Sequence, residues 1–154
     1  MICSLRAGFL AFPIFLSICP VSIAADTGFD HDQLTVVSAT AKHVFKIELA
    51  KTSDQQSRGL MFRRKIGERE GMLFLHSEPR YVTMWMRNTY IPLDMLFIRE
   101  DGRIHRIESR TEPLSERIID SGDRVTAVLE IAGGLAQKLK IKPGDMVRHS
   151  HFKQ

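Results

Sequence analysis

Cysteine is nearly missing from the sequence. Of 154 residues only Cys3 and Cys19 are cysteines, and both lie in an N-terminal segment that we expect to be removed. The remaining chain then has no thiol for a disulfide, a cysteine nucleophile, an iron–sulfur cluster or thiolate zinc. The sequence also has no glycine-rich phosphate loop, no Gly-x-Ser-x-Gly motif and no aromatic–basic pattern of a nucleic-acid module. We therefore expect no cofactor and no nucleic-acid partner.

The first 25 residues have the pattern of a secretory signal peptide. A short basic start over residues 1–6 precedes an almost unbroken apolar run over residues 7–18. This run is shorter than the ~20 residues that span a bilayer, so we expect cleavage after Ala24 or Ala25 and no retained membrane anchor. The neighbours of Cys19 argue against lipid attachment there. The predicted location is periplasmic or secreted.

The length and charge of the mature chain indicate one domain. Removal of the signal peptide changes the formal net charge from +4 to +3. About 130 residues remain, which is enough for a single hydrophobic core. We expect a polar leader over residues 26–33 and one globular domain over residues 34–154. The weak positive charge suits anionic envelope polymers, although its simplest role is to keep the protein soluble.

Alternation of apolar and polar residues predicts a β-rich fold. The clearest strand covers residues 43–50, where Phe45, Ile47 and Leu49 share one face. Further strands are predicted at residues 34–38, 71–75, 82–87, 94–98, 103–109, 125–131 and 146–149. The Asp-Gly pair at residues 101–102 predicts a hairpin, followed by a strand with a bulge or an edge position. Residues 111–124 predict a long surface loop.

Two short helices are predicted. Residues 53–56 (SDQQ) match a capping box, and the helix that follows would carry Arg58, Leu60, Met61 and Arg63. A glycine at position 59 weakens this helix or ends it early. The second helix is expected at residues 135–140. The predicted fold class is therefore α+β, mainly antiparallel, with a small barrel-like or sandwich core.

The segment 81–98 is the most unusual part of the chain. It contains the only tryptophan and three of the seven methionines. If it forms two strands joined by residues 88–92, then Arg87, Asn88 and Asp94 lie where strand gives way to loop. We expect both faces of its first strand to be mostly covered. One face would carry Val82, Met84 and Met86, and the other Tyr81, Thr83 and Trp85.

Asp94 can be interpreted in two ways. It enters an apolar strand, so its carboxylate must be paired or hydrogen-bonded if it is buried. A functional role would make it a general base or a group that holds a ligand. We favour a structural role, in which it accepts N–H bonds from the backbone of residues 88–92.

Other polar residues of this segment and of the first helix complete the candidate ligand-binding set. Asn88 and Thr89 lie at a strand exit, where asparagine more often closes a turn than recognises a ligand. An arginine can hold an acidic partner or an anionic ligand through two hydrogen bonds, and a structural ion pair is its usual role. The candidate set is Arg58, Arg63, Arg87, Asn88, Thr89 and Asp94.

Candidates for catalysis and metal binding are fewer. If Asp94 and Glu130 converge with Arg58, they would suit acid–base hydrolysis of a polymer such as a glycan. Because nothing in the sequence fixes their separation, we favour a protein that is not an enzyme. Two weak metal sites are conceivable. These are Cu(I) at Met84 and Met86, for which a methionine-lined core is the simpler explanation, and an imidazole pair at His149 and His151.

Several short motifs in a fixed order resemble those of the domain of unknown function family 192. They are RGLMFR at 58–63, GMLF at 71–74, WMRNT at 85–89, PLD at 92–94, Phe97, VLE at 128–130, Gly134 and GD at 144–145. Together they cover nearly the whole mature chain. The resemblance implies a compact, largely antiparallel β domain with short helices, often exported and without an established activity. Arg87 stands where the family commonly has lysine, which is a mild departure.

These observations predict an exported binding or accessory domain of the cell envelope. Its partner would be a small molecule or an envelope polymer. The alternative is an envelope polymer hydrolase that uses Asp94 and Glu130, and a third hypothesis is Cu(I) binding through Met84 and Met86. Each requires a different arrangement of these side chains in the folded protein.

Overall fold

Residues 28–153 are described by the computed structural model, and they form nine strands and two short helices. The strands are β1 (Asp30–Val37), β2 (Lys42–Ala50), β3 (Glu70–Arg80), β4 (Thr83–Met84), β5 (Leu93–Ile98), β6 (Ile104–Glu108), β7 (Ile119–Asp120), β8 (Val125–Ala132) and β9 (Met146–Arg148). The helices are α1 (Ser53–Arg58) and α2 (Leu135–Lys138). The predicted signal peptide lies outside the described residues. No helix within them is long and apolar enough to cross a membrane.

Seven strands form one sheet that nearly closes into a barrel. Their order is β6-β5-β8-β3-β2-β1-β9, and every pair is antiparallel except β2 with β3. The two edges meet where Arg103 bridges Met146 and the Val147 N–H donates to the Gly102 carbonyl at 2.8 Å. Strands β4 and β7 pair with each other outside this sheet. The predicted fold class, mainly antiparallel α+β with a small barrel-like core, is confirmed.

The sheet is covered on both faces along its central strands β3, β5 and β8. Because side chains alternate along a strand, Leu96 and Ile98 of β5 point into the barrel while Met95 and Phe97 point outwards. The side chains that point into the barrel form an inner hydrophobic cluster, to which helix α2 contributes. Those that point outwards form an outer hydrophobic cluster, which includes Met72, Met95 and Phe97 and is covered by α1, β4 and the long loops. Every residue of β5 is buried as a result.

Helix α1 begins one residue earlier than predicted and ends sooner. The capping box is built on Thr52, whose hydroxyl accepts from the Gln55 N–H, while the Gln55 side chain accepts from the Thr52 N–H. Gln56 is unavailable for that role because its amide donates to the Leu75 carbonyl at 2.7 Å. The helix stops at Gly59, whose φ of 46° leaves the helical region. Residues 60–63 therefore lie after the helix, not in it.

The segment 81–92 is mostly loop. Only Thr83–Met84 forms a strand, so the prediction of a strand over residues 82–87 is wrong, and so is the expectation that both faces are covered. Val82, Met84 and Met86, which were predicted to share one face, do pack together against the outer cluster. Tyr81, however, is 62 % exposed and Trp85 is 39 % exposed. No neighbouring strand of the main sheet pairs with this segment, which explains why its second face stays open.

The start of the first strand also differs from the prediction. Strand β1 begins at Asp30, because residues 30–33 pair antiparallel with the last residues of β2. The polar character of this segment fits its exposed position in the strand. The hairpin after β5 and the irregular strand that follows it are confirmed, since β6 lies at the edge of the sheet order and the β5–β6 register shifts after Phe97.

Asp94 joins three separate parts of the fold at one end of the barrel. It is fully buried and projects to the inner side, opposite Ile131. Its Oδ1 accepts from the N–H groups of Arg110 and Gly134, and its Oδ2 accepts from that of Ala136, each at 2.8 Å. The carboxylate thus caps the start of α2 and fixes the loop after β6. A structural role was predicted, but the expected partner loop, residues 88–92, was wrong.

The first prediction concerns this carboxylate. Asp94→Ala leaves three N–H groups without their acceptor, and we expect the free energy of unfolding to fall by about 3 kcal/mol or more. Asp94→Asn is expected to lose less, since it keeps one acceptor oxygen but turns an NH₂ group towards another donor. Urea unfolding measures both, with the exposed Glu116→Ala as control, which should change stability by less than ~0.5 kcal/mol. Equal effects at positions 94 and 116 would contradict this account.

Candidate ligand-binding cleft

An open cleft of about 320 Å³ lies on the outer side of the sheet, between α1 and the segment 81–85. Its lining comes from α1 and the residues just after it, from β3 and β4, and from one side chain of β8. The lining residues are Ser53, Gln56, Ser57, Arg58, Gly59, Leu60, Met61, Phe74, His76, Arg80, Tyr81, Val82, Thr83, Met84, Trp85, Thr89 and Glu130.

Gly59 lets α1 approach the sheet at the cleft. A Cβ at this position would lie 3.1 Å from Cζ of Phe74, closer than ordinary van der Waals contact. The positive φ of Gly59 also favours glycine here. The glycine that weakens α1 in isolation is therefore required for the packing that forms one wall of the cleft.

Glu130 supplies the cleft with a buried acid. It lies opposite Met72 of β3 and Met95 of β5, both members of the outer cluster, so its side chain projects outwards between them. The residue is 4 % exposed, and within residues 28–153 its carboxyl has no hydrogen-bond partner. Burial raises its pKa to about 8. At neutral pH it is therefore protonated in most molecules, with an O–H donor and a carbonyl acceptor available to the cleft.

His76 lies further along the same face of β3. It is four residues beyond Met72, and four residues of extended strand rise about 13 Å. The cleft therefore has Glu130 towards one end and His76 towards the other, with Phe74 between them. The buried Nε2 of His76 has no hydrogen-bond partner among the described residues. Burial lowers the pKa of His76, and the charges of Arg80 and His151 lower it further, which favours the neutral imidazole.

Two cations and two aromatic side chains complete the rim. Neither Arg58 nor Arg80 forms an ion pair within the described part of the chain, and the Arg58 guanidinium lies 6.0 Å from the centre of the Phe29 ring. Tyr81 and Trp85 are exposed on the opposite wall. Because Glu130 is the only acidic residue of the lining and is mostly neutral, the cleft carries positive charge.

The structure does not bring the two candidate catalytic carboxylates together. On the neighbouring strands β5 and β8, Asp94 pairs with Ile131 and Met95 pairs with Glu130, so Asp94 faces the barrel interior and Glu130 faces outwards. Asp94 is also fully engaged by backbone N–H groups. The two carboxylates cannot act on one substrate atom, and of this pair only Glu130 lines the cleft.

The remaining candidate ligand-binding residues divide between the cleft and structural roles. Thr89 lines the cleft, and its hydroxyl donates to the Arg87 carbonyl. Arg87 stacks over the Trp85 ring at 5.0 Å. Arg63 forms a two-point ion pair with Glu48 at 2.7 and 2.5 Å.

Asn88 lies in a turn that is closed by a backbone hydrogen bond from the Thr89 N–H to the Met86 carbonyl, and not by its own side chain. Its φ is 55°, a region in which asparagine is one of the better-tolerated residues. Its carbonyl accepts from the Phe62 N–H at 2.8 Å, which ties the loop after α1 to the segment 81–92. The side chain is exposed and contacts only the sulfur of Met61, at 3.9 Å. Asn88 therefore holds the loop after α1 in place without itself lining the cleft.

The candidate metal ligands have other partners. Met86 is buried in the outer cluster, where its sulfur accepts from the Thr111 hydroxyl at 3.1 Å, while Met84 lies on the cleft lining. His149 contacts Asp32 through Nε2 at 3.1 Å and accepts the His151 N–H through Nδ1. Nε2 of His151 lies 3.2 Å from the Thr126 carbonyl oxygen. Residues 28–153 contain no cluster of three His, Cys, Asp or Glu side chains with the geometry of a metal site.

Sequence reasoning missed His76, Arg80 and the open position of Trp85. His76 occurs at even spacing after Met72 and Phe74, so extension of the predicted strand beyond Leu75 would have placed it on the same face. Nothing in the sequence shows that α1 packs across this face. Glu130 was identified from the sequence only as a possible catalytic partner of Asp94, with Arg58 nearby, and its place in this cleft was not foreseen.

The fold and the cleft define a small, nearly closed β-barrel domain with a ligand-sized cleft in its outer layer. The chain belongs to the DUF192 family, described as "Uncharacterized ACR", whose model matches residues 35–149. The predicted family is therefore confirmed. No curated protein matches the chain.

Two solved structures share the fold. One is a protein of unknown function from Novosphingobium aromaticivorans DSM 12444, 43 % identical with a TM-score of 0.79, where the match covers 86 % of this chain and 94 % of that one. The other, from Sinorhizobium meliloti 1021, is described as a "putative transcription regulator". It is 42 % identical with a TM-score of 0.76, and the match covers 78 % of this chain and 94 % of that one.

The second prediction tests the protonation of Glu130. Its folded pKa of about 8 lies above its ordinary value of 4.5, so its full contribution to stability is present below pH 4.5 and is lost as the pH rises through 8. Glu130→Gln removes this titration. Between about pH 5 and about pH 9 we expect the wild type to lose roughly 3 kcal/mol of unfolding free energy relative to the variant. The measurement is urea unfolding of both proteins at the two pH values, and a difference that does not change with pH would show that Glu130 is ionised in the fold.

Proposed function

We propose that this chain is an exported, non-catalytic binding domain of the cell envelope that holds a small organic molecule in the cleft between α1 and the segment 81–85. The observation that carries the proposal is a pair of polar side chains in an open cleft without hydrogen-bond partners among residues 28–153: Glu130, a residue only 4 % exposed, and His76, whose Nε2 is buried. A buried polar group without a hydrogen bond is costly, and a ligand that supplies the missing partner recovers that cost.

The size and composition of the cleft support a small ligand. Its volume of about 320 Å³ lies at the lower end of the range of roughly 300 to 1,000 Å³ that is usual for small-molecule sites. Phe74 and Trp85 offer apolar surface, and Glu130, Arg58 and Arg80 supply a few polar groups at separate points. This combination is typical of sites that fix the orientation of one ligand.

Binding is favoured over hydrolysis by the positions of the carboxylates. A glycan hydrolase of the usual kind requires two carboxyl groups on either side of one bond. Here the second candidate, Asp94, lies on the opposite face of the sheet and caps α2. The Cu(I) hypothesis is not supported either, because the sulfur of Met86 is buried and hydrogen-bonded.

The proposal of export rests on the N-terminal sequence pattern. The third prediction is that the full-length chain, expressed in a Gram-negative host, is recovered from the periplasm with its new N-terminus at residue 25 or 26. Intact-mass spectrometry of the purified protein identifies the cleavage site. A full-length mass in the cytoplasmic fraction would contradict export while leaving the cleft available as a binding site.

The fourth prediction tests the cleft. Ser57 is an exposed residue of α1 that lines the cleft, so Ser57→Tyr would fill part of it. Asp54→Tyr adds the same ring to the same helix outside the lining and serves as the matched control. Ligand-observed NMR is run against bacterial metabolites and soluble glycan fragments. We expect at least one compound to bind the wild type and Asp54→Tyr but not Ser57→Tyr.

The result that would overturn the proposal is equally specific. If every compound that binds the wild type also binds Ser57→Tyr unchanged, the cleft is not the binding site. Thermal unfolding of both variants shows whether each is folded, and the exposed position of residues 54 and 57 makes a large loss of stability unexpected.

A further inference from the structure

The geometry points to a class of ligand: an elongated organic anion, with its anionic group at the Arg80 end of the cleft, an apolar middle over Phe74, and a hydrogen-bond acceptor at Glu130. This inference rests on the proposed binding function and adds to it the chemistry of the ligand. It does not depend on export.

The charge of the lining selects for an anion. Arg58 and Arg80 have no ion pair among the described residues, although nine other ion pairs are formed there. No ionised carboxylate on the lining opposes them, since Glu130 is mostly protonated at neutral pH. A cationic ligand would meet two like charges. An anionic ligand would find a guanidinium that can donate two hydrogen bonds to it.

Glu130 favours a ligand that has a hydrogen-bond acceptor. Its neutral carboxyl has an O–H that no described residue accepts, in surroundings made apolar by Met72 and Met95. An acceptor oxygen on the ligand would satisfy this donor. A carboxylate oxygen would do so best, because hydrogen bonds to ionised acceptors are about twice as strong as neutral ones.

The separation of Glu130 and Arg80 favours a long ligand. Glu130 lies opposite Met72, whereas Arg80 ends β3, beyond His76. Arg80 is paired with Val125, five residues from Glu130 along β8, so the two backbone positions are roughly 16 Å apart before their side chains reach into the cleft. The Phe74 ring lies between the two ends and covers the floor. A compact anion such as phosphate can reach only one end, so a chain of several methylene groups between two polar ends fits the cleft better.

Trp85 makes the binding of such a ligand directly observable. It is the only tryptophan of the chain, and it lines the cleft. Tryptophan fluorescence therefore reports on this cleft alone. Three probes of equal chain length separate the contributions of the two ends. Suberate carries a carboxylate at each end, octanoate carries one, and octanamide replaces that one carboxylate with a neutral amide of similar size.

We expect suberate to bind more tightly than octanoate, and octanoate more tightly than octanamide, each step being about tenfold or more. Glu130→Leu removes the donor at one end, and the ratio of suberate to octanoate affinity should fall to one or below, because the second carboxylate of suberate then meets only apolar side chains. Arg80→Gln removes the charge at the other end, and the ratio of octanoate to octanamide affinity should fall towards one. Arg148→Gln, an exposed arginine of β9 outside the cleft, removes the same charge and should leave both ratios unchanged.

Each other outcome overturns the inference. Equal affinity for octanoate and octanamide would show that charge is not recognised. Ratios that survive Arg80→Gln and Glu130→Leu would show that these residues do not hold the two ends. If none of the three probes changes the Trp85 fluorescence, the ligand class is wrong, whereas the proposed function stands or falls separately with the Ser57→Tyr screen. Glu130→Leu places an apolar side chain among methionines, so a folding failure is not expected there.

Discussion

A sheet that is buried on both faces at its centre is the constraint on which the rest of this structure depends. Strands β5 and β8 each carry one carboxyl group, and neither strand has a solvent-exposed face for it. The fold resolves the two cases differently. Asp94 accepts from three backbone donors, two at the start of α2 and one in the loop after β6, whereas Glu130 has no hydrogen-bond partner among the described residues and retains its proton. A charged group inside a protein must be compensated or neutralised, and both solutions occur here on adjacent strands.

The cleft follows from the way the outer face is covered. A continuous helix could have packed over β3 and β8, but α1 ends at Gly59 after six residues, and the segment 81–85 lies beside it without joining the main sheet. The space between these two pieces forms the cleft, whose lining includes the largely buried Glu130 and His76 together with the exposed Arg58 and Arg80. The positively charged lining and its neutral acid are thus consequences of incomplete coverage of an otherwise closed core.

Sequence reasoning identified some of the functional candidates for the right reason. Asp94 was assigned a backbone-binding role because a carboxylate in an apolar strand requires a partner, and Glu130 was selected as the second carboxylate of a possible catalytic pair. The pairing of the two was wrong, because alternation specifies the face of each residue only within its own strand. Their relative faces depend on the β5–β8 register, in which Met95 and not Asp94 lies opposite Glu130. Arg80 and His76 were missed because β3 extends five residues beyond its predicted end at Leu75.

The sequence by itself determined the family, the α+β class with its antiparallel strands, and the apolar pattern that makes the central strands buried. These are local or cumulative properties, and periodicity over several residues records them. Only the tertiary structure decided that residues 81–92 form a loop and that Arg58, His76, Arg80 and Glu130 line one cleft. Those outcomes depend on contacts between residues far apart in the chain, such as Gly59 against Phe74. The energies that select among such contacts are set by packing and hydrogen bonding, for which the local pattern carries no signal.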